Sequence, residues 1–173
     1  ADEVLWAFDV CVRADLLAAI ATFSRSIGAR VVPLAPEPVL DLRGVRHPLL
    51  AEAEGEVVDN DLFLKSGRGV VLSGPNAGGK TVAMKCLGLI ALMQATGLPL
   101  PVEEESQVSF WSQVYCDIGD DQSLSQSLST FSGHVERVRD ILEFSEPGVL
   151  VLLDELMGGT DPGEGAVLAI STV

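Results

Sequence analysis

Gly74 to Thr81 reads GPNAGGKT, and Asp154 and Glu155 stand side by side at the end of the apolar run VLVLLD. The first stretch fits G-x-x-x-x-G-K-[ST], a spacing suited to cradling phosphate. Glycines let backbone N–H groups converge on phosphate oxygens without Cβ clashes, and a helix starting there adds its partial positive charge. Gly74, Pro75, Asn76, Ala77, Gly78, Gly79, Lys80, Thr81 and Val82 are therefore the candidate nucleotide-binding residues. Lys80 is expected on the β and γ phosphates, and Thr81 is expected to offer its hydroxyl to Mg²⁺. Asp154 is the second expected Mg²⁺ ligand, and Glu155 is placed to polarise an attacking water. The alternatives are a glycine-rich turn without ligand and a solvated strand end.

These residues need elements to position them. The apolar run Gly69 to Leu72 before the glycines reads as a strand, and Thr81 to Ala95 has helix length. Val149 to Asp154 reads as a second buried strand, followed by the helix-like EGAVLAIS. Strand, loop, helix twice over predicts an α/β fold with buried strands. Val39 to Leu42 and Leu62 to Leu64 are further short strand candidates. Upstream, Leu5, Phe8, Val12, Leu16, Ile20, Phe23 and Ile27 recur every three or four positions and predict one amphipathic helix over residues 4 to 27, stopped by Gly28. That helix is either a core-facing element or the end of a longer helical region. Pro33, Pro36 and Pro38 exclude regular helix beyond it. The expected division is a helical segment over residues 1–36 and an α/β domain over residues 37–173.

Composition narrows the function classes. The chain has 173 residues, 47% of them hydrophobic, which is ample for one packed core. No run of eighteen apolar residues occurs, and the acidic N-terminus ADEVLWAFDV is unlike a signal peptide, so a cytoplasmic protein with no membrane partner is expected. Cys11, Cys86 and Cys116 are too few and too scattered for a disulfide framework or a zinc site. A net charge of −14 has the wrong sign for gripping many phosphates of a nucleic acid. DNA binding is therefore expected from regions outside this chain.

Three features refine the reading. No N-K-x-D occurs, which argues against guanine readout, and the glutamate directly after Asp154 favours hydrolysis over transfer to a small acceptor. Ser129-Thr130-Phe131 precede a helix-like stretch in which Val135, Val138, Ile141 and Leu142 share one face. Serine hydroxyls at a helix N-terminus suit an anion. On composition alone, however, the polar segment Asp120 to His134 reads as a flexible loop.

GPNAGGKTVAMK, DIGDDQSLSQSLSTFSGH and LLDELMGGTDPGEGAVLA resemble the ATPase domain of the MutS superfamily of ABC-type ATPases. Thr81 and Val82 after the lysine, the D-I-G-D-x-Q-S segment and T-D-P-x-E-G point to its second bacterial branch, MutS-two, over mismatch-repair MutS proper. The resemblance covers roughly residues 40 to 173. It implies a P-loop NTPase fold of the ABC type and two ATP molecules sandwiched in a homodimer. In such a dimer Ser129 reaches the γ-phosphate bound by the partner subunit, and Gly158 to Pro162 form the loop crossing the interface. It further implies that Arg46-His47-Pro48 and Val57 to Asp61 line the adenine pocket, with Val57 and Val58 on the base and Asn60 hydrogen-bonding it. An ordinary loop-stabilising role for His47 or Asn60 is the alternative.

The implied work is ATP hydrolysis driving a clamp on branched or recombination-intermediate DNA, restraining recombination, with stalled ribosomes a further attributed target. Met157 departs from the family's usual glycine, and the chain ends at Val173, before a later switch-loop histidine. The last part of the ATPase core, most of the DNA-encircling helices and a C-terminal nuclease domain are expected elsewhere. Two competing readings are a nucleotide-gated binding module with incidental hydrolysis and a small-molecule P-loop kinase.

Overall fold

The computed structural model describes residues 2–52, 57–65, 67–75, 78–118 and 127–154. In chain order the elements are helix α1 (Asp2–Ser26), strand β1 (Val39–Val45), helix α2 (Pro48–Glu52), strand β2 (Asn60–Lys65), helix α3 (Lys80–Ala95), strands β3 (Gln107–Val108) and β4 (Gln113–Asp117), helix α4 (Ser127–Phe144) and strand β5 (Val149–Leu153). Helices and both parallel and antiparallel strands are present, so the fold is α/β, as the alternation of patterns predicts.

An antiparallel sheet in the order β2-β1-β3 forms the first layer. Leu40, Leu42 and Val45 of β1 are buried, and the spacing lengthens from two to three because the register against β2 shifts between Leu42 and Val45. A bulge of this kind inserts one residue and re-aims the next side chain. Gly44 occupies the extra position at φ 53°, where its N–H donates to Asp61 Oδ1 at 2.9 Å. A side chain there would be strained and would meet Glu103 Cγ 2.7 Å from its Cβ.

The second sheet is the parallel pair β4-β5, in which Val114 faces Leu150 and Asp117 faces Leu153. Parallel strands need a covering layer. Helix α3 supplies it with Cys86, Leu87, Ile90, Ala91 and Met93, which join Leu150, Leu152 and the inward residues of β1 in one apolar core. Gly88 lets α3 come close: a Cβ there would lie 2.9 Å from Leu152 Cδ1. Helix α4 packs on β4 through buried Val138 and Ile141.

Several expectations are corrected. Among the described residues Gly69 to Leu72 enters no ladder, and Val71 is 82% exposed, so the anticipated strand before the glycine loop is not formed there. An extended run without a hydrogen-bonding neighbour gains no ladder bonds to offset the entropy of ordering it. The stripe on α1 is core-facing only at its end. Ile27 is buried and Phe23 partly so, but Leu5, Phe8, Val12 and Leu16 are exposed. In α4, Val138 and Ile141 face inward while Val135 and Leu142 are exposed, since a helix packed on one face of a sheet buries a narrow stripe. Strand β5 buries Leu150 and Leu152 on one face and leaves Val151 on the other 36% exposed, so it is not enclosed on both faces among the described residues. Residues 127–134 of the polar segment, expected as loop, are helical, while residues 120–126 lie outside the described residues. No helix among the described residues is long and apolar enough to cross a membrane.

Candidate functional site

The glycine loop is shaped by its own backbone. Gly78 donates its N–H to Pro75 O at 2.9 Å, and a Cβ on Gly78 would sit only 3.0 Å from that oxygen. Gly74 at φ 153° and Gly79 at φ 76° take conformations that favour glycine. Gly79 is the N-cap of α3, and no side chain caps the helix. The first-turn amides of a 16-residue helix are therefore left to whatever anion meets them. Lys80 folds back over the loop, its Nζ donating to Gly74 O at 2.7 Å and Pro75 O at 2.8 Å.

Thr81, the next residue, meets the acidic strand end. Its Oγ1 donates to Asp154 Oδ2 at 2.7 Å, joining positions 73 residues apart. The aspartate backbone is held independently, for its N–H donates to Asp117 O at 2.9 Å and so extends the β4-β5 ladder beyond Leu153. A hydroxyl and a carboxylate are the hard oxygen donors that Mg²⁺ takes. An octahedral Mg²⁺ ion holds adjacent ligand oxygens about 2.9 Å apart, close to the spacing found here, so the pair fits that ion. Among the described residues no group of three or more His, Cys, Asp or Glu could hold a metal by itself. Two protein oxygens completed by phosphates and water are the usual arrangement for Mg²⁺.

The remaining candidates divide. Val82 is exposed on the outward side of α3. Val58 is exposed, and Asn60 donates its side-chain amide to Val58 O at 3.2 Å, the local stabilising role weighed against base contact. Asp61 beside it is committed to β1: the Gly44 N–H and the Arg43 guanidinium both hold its carboxyl below the usual range. His47 begins the turn into α2, where partial burial and then the Lys85 charge on α3 push its imidazole below the ordinary value. The His47 imidazole is thus within electrostatic reach of the helix that follows the glycine loop. Ser129 falls in the first turn of α4, with its side chain outside the described residues. Asn76, Ala77, Glu155, Met157 and Gly158 to Pro162 lie outside them altogether.

Two contributors were not foreseen. Gly88 sets the distance between α3 and β5, seven residues along the helix from Thr81. Asp117, nearly buried at the end of β4, pairs with Arg137 of α4 at 2.6 Å. Its place at the head of DIGDD was the available signal, but burial and partner are tertiary facts.

Residues 70–173 match the family described as MutS domain V. The chain is 44% identical over 172 residues to the endonuclease MutS2 of Bacillus cytotoxicus, covering 99% of this chain and 22% of that protein. It is 43% identical over 165 residues to endonuclease MutS2 of Clostridium perfringens, covering 95% and 21%. With endonuclease MutS2 of Bacillus cereus strain AH820 the identity is 44% over 171 residues. The chain spans about a fifth of the length of the curated relatives it matches. The matched region takes in the glycine loop, the helix that carries Lys80 and Thr81, and the strand that brings Asp154 to them, and on that match the chain belongs to the MutS family.

Proposed function

We propose that this chain is the ATP-binding and ATP-hydrolysing unit of a MutS protein of the MutS2 branch, with a P-loop fold of the ABC type. The observation that carries the reading is the 2.7 Å bond between Thr81 and Asp154, at the foot of a helix whose uncapped N-terminus adjoins Lys80. Lys80 exchanges its two loop carbonyls for the β and γ phosphates, while the first-turn amides of α3 bind the same group. Thr81 and Asp154 would hold Mg²⁺, which would supply positive charge to offset that of the phosphates. Glu155 orients the water that attacks the γ-phosphorus as the bond to ADP breaks. Val58 and Asn60 border the base.

The reading extends to a homodimer in which Ser129 of each subunit completes the other's site. Closure of that dimer drives a clamp whose DNA contacts lie outside this acidic chain, on branched or recombination-intermediate DNA. The similarity to proteins named endonuclease supports a nucleic-acid target, and a ribosomal target is the alternative for the same engine. A cytoplasmic protein is in keeping with all of these.

The test is Mg²⁺-dependent ATP turnover by the full-length protein and by Lys80→Ala. We expect the variant to lose at least about a hundredfold in rate, the scale of one removed donor to a transition-state charge. Equal turnover by both proteins would sink the assignment. Wild-type binding of ATP with nucleotide-controlled partner release but no role for hydrolysis would replace the engine with a nucleotide-gated module.

A further inference from the structure

Asp117 ends β4 and faces two ways. Its backbone carbonyl accepts the Asp154 N–H at 2.9 Å, and its carboxylate accepts Arg137 Nε at 2.6 Å. The Asp117 side chain is 9% exposed, against 49% for Arg137. A carboxylate so enclosed is stable as an ion only where it is paired, and Arg137 supplies such a pairing from α4. Among the described side chains of α4 the buried ones, Val138 and Ile141, are apolar. Apolar burial is non-directional and holds a helix on a sheet without fixing its rotation or its position along the axis. A short charge-assisted bond fixes both.

Following the bonds in order, Thr81 meets Asp154, the Asp154 backbone is hydrogen-bonded to Asp117, and the Asp117 carboxylate holds α4. Arg137 stands about two turns beyond Ser129 on that helix.

We propose that the Asp117–Arg137 pair couples the Thr81–Asp154 side of the nucleotide site to α4, setting where the first turn of α4 stands relative to Asp154. Both residues are positioning residues, since each acts through another group. The proposal rests on the nucleotide-site reading above. Coupling between sites is reciprocal and amounts to factors of about 5–150. Mg²⁺ with ATP at Thr81 and Asp154 therefore steadies α4, and a steadied α4 tightens the site.

The test is amide hydrogen exchange of residues 133–144 in the full-length protein, with and without Mg²⁺ and a non-hydrolysable ATP analogue. In wild type we expect these amides to slow by about fivefold or more on ligand addition. Arg137→Gln, kept saturated with analogue, should bind it about fivefold or more weakly and lose the α4 response, and Arg137→Lys should restore part of both. If Arg137→Gln does not fold, the double variant Asp117→Asn/Arg137→Gln removes the buried charge as well and the same loss of response is expected. An α4 response that survives in Arg137→Gln or in the double variant overturns the coupling. So does a wild type that binds the analogue without slowing α4. A wild type that does not bind the analogue overturns the nucleotide reading and the coupling with it.

Discussion

Helices α1 and α3 stop in the same way and are covered differently. In α1 the Gly28 N–H bonds to Arg25 O and the Ala29 N–H to Ser24 O, and in α3 the Gly97 N–H bonds to Gln94 O and the Leu98 N–H to Met93 O. Both glycines are left-handed, at φ 61° and 75°, completing the same paired-bond terminus. Yet α3 buries six residues and α1 only Ser24. The stop signal is local chemistry that a few residues settle for themselves. Whether a helix face is buried is settled by what stands opposite, and α3 has two sheets to cover while most of α1 extends past them.

The sharpest test of that contrast is chemical. Burial pushes the Cys86 thiol on α3 up to about 12 from its ordinary 9.0, which lowers its thiolate fraction about a thousandfold at neutral pH. Iodoacetamide mapped by mass spectrometry should therefore label Cys11 on α1 and leave Cys86 unmodified until the protein unfolds. Comparable labelling of the two in the native protein would erase the distinction between the helices. Next in size is Ile90→Ala, which empties a fully buried position and should cost about 2–5 kcal/mol in denaturant unfolding. A cost near zero would mean that α3 does not close the core.

Gly88→Val should cost about 1–3 kcal/mol by overpacking against Leu152. Because it lifts α3 from β5, it should also weaken Mg²⁺-dependent nucleotide binding; normal binding would separate helix spacing from the site. Leu16→Ala on α1 should stay within about 0.5 kcal/mol despite removing the same kind of side chain as Ile90→Ala. A larger loss would show that α1 is covered in solution. The smallest effect concerns pH. The His47 imidazole is depressed in the folded protein, so the unfolded chain binds more protons below about 6.5 and stability falls as the solution is acidified through that window. Replacing His47 with Gln should flatten that part of the profile, and an unchanged slope would assign it to other groups.

Much of the site was legible because it is written in short range. The glycine spacing, Lys80 and Thr81 opening a helix, and an aspartate closing an apolar strand are readable from adjacent letters, and the chain folds them as read. The α/β class followed from the same alternation. Strands β3 and β4 were missed because QV is two residues long and QVYCD has only five, too few for a period to declare itself. Val70 and Val71 misled for the opposite reason: apolar, β-branched letters signal a strand wherever they stand, but a ladder needs a neighbour. Asn60 was weighed as a base contact or a loop brace; its bond to Val58 O is a local bond of the second kind, and base contact is part of the proposed reading. Nothing along the chain pairs Asp117 with Arg137, twenty positions apart, because that pairing exists only once β4 and α4 are packed.

The backward fold of Lys80 bears on selectivity. Its ammonium already holds two carbonyl oxygens, so a ligand gains only the difference between those neutral acceptors and its own. Phosphate oxygens win that exchange, because hydrogen bonds to ionised acceptors are roughly twice as strong as neutral ones. A sugar hydroxyl or an amide would merely trade like for like. On the proposed nucleotide reading the loop would discriminate by substitution rather than by vacancy, and the neutral solutes that crowd any cell would have nothing to offer it.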